Sequence, residues 1–223
     1  MEGAEEPLEK DEGSTESEEM WDLASYPLAE RAFDKAKEGL AAGEVPIGCV
    51  FAYFPDKVSA EDKPLQPVII AESYNSPNLT RNPTRHAEIN AIEIAMEWAD
   101  EHNIPQASLW PRTSVIVTVE PCVMCASALL SLGVRHVRFG CHNFRFGGCG
   151  SVVDVPGVFG PKPEDAGCST KESTKFVGGW RGEEAVMLLK EFYKGENPNA
   201  PADKARKKRG RKKSAATTES EAN

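Results

Sequence analysis

Two short runs, His86-Ala87-Glu88 and Pro121-Cys122-Val123-Met124-Cys125, constrain this 223-residue chain more than any other feature, because three of these residues are good zinc donors. Either run alone says little. A lone His near a helix start is more often a cap or a surface residue, and a lone C-x-x-C serves as a structural half-site or a redox pair. Together they demand a fold that brings both to one ion. Cys122 and Cys125, three apart, share one helix face, and the unpaired N–H groups of a helix N-terminus favour thiolates. Pro121 at such an entry loses no useful hydrogen bond. His86 and Glu88, two apart, would point to opposite sides in mid-helix, so they share a site only in an irregular first turn. The spacing therefore places His86 and Glu88 in the first turn of one helix and Cys122 and Cys125 at the start of another.

The donor count separates structure from catalysis. A closed structural zinc takes four protein ligands, whereas His86, Cys122 and Cys125 leave a fourth position for water, which zinc activates near neutral pH. Glu88 suits the role of the neighbouring base that moves protons between water and substrate. The competing reading closes the shell with Cys141, His142 or Cys149 and carries no chemistry. Cys49 and Cys168 read as packing or surface thiols, and His102 and His136 as structural residues.

Hydrophobic periodicity supplies the frame. Order is expected from about Trp21, and Leu28, Ala32, Ala36 and Leu40 mark an amphipathic helix ending near Ala42. Strand-like runs follow at Ile47–Phe54 and Pro67–Tyr74, separated by a polar hairpin insertion around Pro55–Pro64. Thr84–His102 has helical spacing, Ser114–Val119 is a β-branched strand, and Cys122–Leu132 is a helix closed by Gly133. Val134–Phe139 alternates as a strand, and Glu183–Tyr193 forms a last helix. The Gly- and Pro-rich stretch 147–182 gives no clear pattern. Such alternation predicts an α/β protein, a three-layer α/β/α sandwich around a mixed central sheet.

Charge divides the chain further. The first nineteen residues carry nine acids against Lys10 and almost no large apolar side chain, which predicts a disordered acidic tail over 1–19. A folded domain is expected over 20–200 and a basic tail over 201–223. That tail holds Lys204, Arg206, Lys207, Lys208, Arg209, Arg211, Lys212 and Lys213 with no acid among them, although the whole chain has a formal charge of −9. A dense cationic run behind an acidic body suggests a polyanionic partner or a nuclear-localisation signal. No stretch approaches the ~20 apolar residues that span a bilayer, and the acidic start lacks the layout of a signal peptide. The expectation is a protein of the nucleus or cytoplasm with no membrane contact and no disulfides.

His-x-Glu followed by Pro-Cys-x-x-Cys is the pattern of the zinc nucleobase deaminases. The likeness extends through Val45-Pro46-Ile47-Gly48, Asn75, Asn82 to Ile89, and Pro121 to Ala126, which together resemble the tRNA adenosine deaminases that convert wobble adenosine to inosine. Arg145 to Val152 and Glu196 to Pro201, with the basic tail behind them, look like the catalytic subunits of the eukaryotic heterodimeric members. This resemblance covers about Trp21 to Lys213. It implies a cytidine-deaminase-like fold, a Zn2+ ion, a tRNA anticodon loop as substrate and a catalytically silent paralogous subunit as partner. It further implies that Asn75 contacts the flipped base and that Val45, Pro46 and Pro121 line its pocket. Two other readings remain at this point: a deaminase of free cytosine, guanine or nucleotides, and a non-catalytic zinc-containing RNA-binding subunit. The second would be expected to lose Glu88, which is present.

Overall fold

β-branched and aromatic runs, buried on both faces, force a central sheet that helices must cover on two sides. In the computed structural model, which describes residues 16–55, 66–160 and 174–194, that sheet has five strands in the order β2-β1-β3-β4-β5. The elements run α1 (Glu16–Ala41), β1 (Gly48–Tyr53), β2 (Val68–Tyr74), α2 (Pro77–Thr80), α3 (Ala87–Glu101) and α4 (Gln106–Leu109). A 3-10 turn at Trp110–Arg112 leads to β3 (Thr113–Val119), then α5 (Val123–Leu132), β4 (His136–Cys141), α6 (Val155–Phe159), β5 (Lys175–Val177) and α7 (Gly182–Lys194).

Strand direction decides where the helices start. β1 pairs antiparallel with both β2 and β3, Cys49 lying opposite Ser73 on one side and Val117 on the other. β2 and β3 therefore point the same way. Each is followed by a helix, so α3 and α5 begin at the same edge of the sheet. β3 and β4 are parallel, with Val117 opposite Phe139, and α5 makes the crossover that parallel pairing requires. β5 extends the parallel half, with Val137 opposite Phe176. The sheet is thus mixed, as the sequence predicts.

Alternation along β1 and β3 sorts the layers. Cys49, Phe51, Tyr53, Val115 and Val117 face α3 and α5, where Ala87, Ala91, Ala95, Ala99 and Leu129 complete one core. Four alanines at every fourth position let α3 lie close to the strands. Val50, Ala52, Phe54 and Ile116 face the other way, onto Leu28, Ala29 and Ala32 of α1. Phe33, Cys141 and Ala185 extend that layer to α7. Burying each large apolar side chain contributes ~1.5–3 kcal/mol, and Phe51, Leu109 and Leu129 are all fully enclosed. Gly48 is where β1 passes closest to α1: a Cβ there would collide with the Ala32 carbonyl oxygen and the Ala36 amide nitrogen.

The elements expected from periodicity are present with ends displaced by a residue or a few. α3 starts at Ala87 rather than Thr84, because Asn82 Oδ1 accepts from the Thr84 amide at 3.0 Å and holds Pro83–Arg85 in a turn. β4 begins at His136 rather than Val134, whose amide instead closes the end of α5 on Leu129. The 147–182 stretch contributes α6 and β5, both too short for a periodic signal. Residues 56–65 of the insertion, Cys168, the acidic residues 1–15 and the basic run Lys204–Lys213 lie outside the described residues.

Candidate metal centre

His86 is the N-cap of α3, with extended backbone (φ −77°, ψ 160°), and Cys122 is the N-cap of α5 in the same geometry (φ −67°, ψ 168°). Both caps sit just before the helix, which frees their side chains to point along the sheet edge rather than around a helix barrel. The result is convergence. His86 Nδ1 lies 3.5 Å from Cys122 Sγ and 3.6 Å from Cys125 Sγ. All three donors fall within 4.8 Å of one another. Bond lengths of ~2.0–2.1 Å to nitrogen and ~2.3 Å to sulfur at a tetrahedral angle give an N–S separation of about 3.6 Å. The donor set fits zinc.

Protonation follows the same geometry. A hydrogen bond from Cys125, reinforced by His86, draws the Cys122 thiol down to about 4. Cys125, which keeps the shared proton and is largely enclosed, is driven strongly upward. Contact with Cys122 raises the His86 imidazole above its usual range. Two sulfurs and one imidazole thus share protons that a cation would displace. Glu88, in the first turn of α3 and only 3% exposed, has its carboxyl pushed up to about 7 by burial. It interacts with Cys125 and with the charges of Cys122 and His86, so it belongs to the same cluster.

The rest of the rim is held by backbone hydrogen bonds. Asn75, at the end of β2 and 4% exposed, accepts the Ala87 amide on Oδ1 at 2.8 Å, taking over the capping that His86 does not supply. Its own amide donates to the Ile47 carbonyl at 3.2 Å, which ties the Val45–Pro46–Ile47 turn to the site edge. Pro46 is buried and Val45 half-buried there. The Pro121 carbonyl accepts from the Gly148 amide at 2.8 Å, and Pro121 is buried beside Cys122.

No fourth protein ligand joins the cluster among the described residues: the metal-competent group there is His86, Cys122 and Cys125. Cys141 is turned toward α7, Cys149 packs on the core, and His142 Nδ1 faces the Ser151 hydroxyl at 3.2 Å. Three donors among the described residues are one fewer than a closed structural zinc takes. Sequence reasoning missed Glu120, whose buried carboxylate organises the loop beside Cys122. The signal was an acid directly before Pro-Cys at a strand end.

The sequence comparisons agree with this geometry. The family model for the cytidine and deoxycytidylate deaminase zinc-binding region matches residues 25–141. The chain is 41% identical over 178 residues to tRNA-specific adenosine deaminase 2 of Xenopus tropicalis, spanning 80% of this chain and 94% of the relative. The chain belongs to this zinc deaminase family. Its likeness to the Danio rerio tRNA-specific adenosine deaminase 2 is 44% over 177 residues, spanning 79% of this chain and 74% of that one. Among solved structures, one from work on A-to-I editing by tRNA:A34 deaminases at the wobble position of transfer RNA matches with a TM-score of 0.55 and 26% identity. It is covered to 99%, against 73% of this chain. As a member of this deaminase family the chain is a zinc-dependent hydrolase. Among the described residues no helix is long and apolar enough to cross a membrane.

Proposed function

We propose that this protein hydrolytically deaminates adenosine to inosine at the wobble position of tRNA anticodons. The observation that carries the reading is a three-donor metal centre with an enclosed carboxylate beside it, in a chain 40–44% identical to tRNA-specific adenosine deaminases over most of its length. His86, Cys122 and Cys125 would hold the zinc, which would supply Lewis-acid activation of a water molecule. Glu88 would take one proton from that water as its oxygen bonds to the ring carbon and pass it to the adjacent ring nitrogen; it would then carry the remaining hydroxyl proton to the exocyclic amino group, which leaves as ammonia as the C–N bond breaks and the carbonyl forms. A carboxyl whose affinity for protons lies near neutrality is suited to both uptake and release.

The base must leave its stack to reach a site at a sheet edge, and a loop nucleotide is cheaper to unstack than a paired one. Asn75 anchors α3 through Oδ1, and its side-chain NH2 is the donor it can offer to the flipped base. Val45, Pro46 and Pro121, on the turns flanking that edge, line the pocket in this reading. Exposed Val123, Met124, Val158 and Phe159 give apolar surface suited to a catalytically silent paralogous subunit. The basic residues Lys204 to Lys213 meet tRNA phosphates or direct the chain to the nucleus, behind a deaminase domain spanning 20–200.

Sequencing of a tRNA pool after incubation with the zinc-loaded protein tests the reading, because inosine reads as guanosine. The expected result is adenosine-to-guanosine conversion confined to the first anticodon position and absent with Glu88→Gln. Deamination of free nucleosides or guanine with no change in tRNA would reverse the substrate assignment. Copurification of a second deaminase-like chain in equal amount checks the partner.

A further inference from the structure

Glu120 stands between β3 and the Pro121-Cys122 turn, with 2% of its surface exposed. Its backbone N–H continues the sheet by donating to the Cys141 carbonyl at 2.8 Å. A carboxylate that deep is costly unless its oxygens are satisfied, and here every donor comes from the loop 142–151. Oε1 accepts the amides of Cys149 at 2.9 Å and Ser151 at 3.2 Å, while Oε2 accepts the Asn143 amide at 2.8 Å and the Ser151 hydroxyl. His142 Nδ1 lies 3.4 Å from Oε2.

The other side of that loop rests on the metal-bearing turn. Gly147 bridges to Cys122, the Val123 amide donates to the Phe146 carbonyl at 3.0 Å, and the Gly148 amide donates to Pro121. The fit is tight. A Cβ at Gly147 would stand 2.5 Å from Glu120 Oε1, and one at Gly148 would stand 2.8 Å from the Val123 Cα. Between these supports the loop carries an outward tip: Phe144 is 84% and Phe146 57% exposed, with the Arg145 guanidinium 5.1 Å over the Phe146 ring.

We propose that Glu120 is a positioning residue, whose carboxylate clamps loop 142–151 against the first turn of α5 and so fixes the Phe144–Phe146 tip beside the metal centre. The inference rests on the deaminase reading for its kinetic consequence and on the hydrogen bonds alone for the clamp. Glu120→Gln keeps one acceptor and turns an NH2 toward the Asn143 amide, a donor against a donor. Gly147→Ala presses a methyl on the same carboxylate and leaves Glu120 in place.

Both variants are compared with the wild type as full-length, zinc-loaded protein, by amide hydrogen exchange, metal content and tRNA kinetics. Zinc content is expected to stay unchanged while exchange over 142–151 accelerates relative to β3 and α3. On tRNA, kcat/KM is expected to fall on the order of ten-fold or more, mainly through KM. Exchange in the loop that rises no more than elsewhere overturns the proposal, as does activity lost only in step with zinc. Should the wild type leave tRNA untouched, the tRNA substrate assignment fails instead, and the exchange comparison still decides whether Glu120 clamps the loop.

Discussion

At the scale of single residues, hydrogen bonds within the cluster set the protonation of His86, Cys122 and Cys125, and enclosure sets that of Glu88. Glu88 is buried, and that enclosure pushes its carboxyl up to about 7. Glu88→Gln preserves shape and hydrogen-bonding length but cannot shuttle protons. Turnover on tRNA is expected to fall by about 10²–10⁴-fold with metal content unchanged, measured by single-turnover kinetics beside elemental analysis. Removing a buried charge also relieves a desolvation cost, so the metal-free variant should unfold at the same urea concentration as wild type or a higher one. Cys122→Ser acts differently. It removes a thiolate that lies 3.5 Å from His86 Nδ1, so zinc is expected to raise the melting temperature of the wild type and not that of the variant. That rise corresponds to about 4 kcal/mol when free zinc stands a thousand-fold above its Kd. A Cys122→Ser protein still stabilised by zinc to the wild-type extent would place the metal elsewhere.

At the scale of elements, convergence of the ligands is a consequence of strand direction. β1 runs against both β2 and β3, so the helices that follow those two strands open at one edge, and the caps His86 and Cys122 meet there. The arrangement depends on how closely the layers stack. Gly48→Ala would drive a methyl into the α1 backbone and should destabilise the fold by ~1–3 kcal/mol or more, read as a lower denaturation midpoint at unchanged m-value. Asn75→Ala should cost about 1 kcal/mol, by leaving the Ala87 amide without its acceptor. The main helices and the first four strands were legible because each carries several turns or pleats of periodic burial. The four alanines of α3 and the alternation of β3 are direct examples. α6 and β5 were not legible, having five and three residues, too few to establish a period. The metal ligands were legible because chemistry restricts which residues can serve. Glu120 was not, since its meaning comes from the loop 142–151, and only the folded chain brings that loop to it.

At the scale of the whole molecule, charge is distributed against the proposed substrate: the chain as a whole is at −9, yet Lys204 to Lys213 holds eight cations and no acid. An acidic body repels a polyanion, so steering toward tRNA must come from a concentrated source, and in this chain the concentrated source is the tail. Phosphate contacts made by Lys and Arg release condensed counterions, so affinity falls with salt by a slope that counts those contacts. Eight cations on single-stranded or loop RNA set a ceiling of roughly 6 on that slope. Truncation after Asp203 should therefore flatten the plot of log Kd against log salt and weaken binding most at low ionic strength. The metal centre lies on the folded edge far along the chain from the cut, so kcat at saturating tRNA should hold. Binding isotherms for full-length and truncated protein across a series of salt concentrations separate the two roles of the tail. A slope unchanged by truncation would remove the tail from tRNA recognition and leave nuclear targeting as its function.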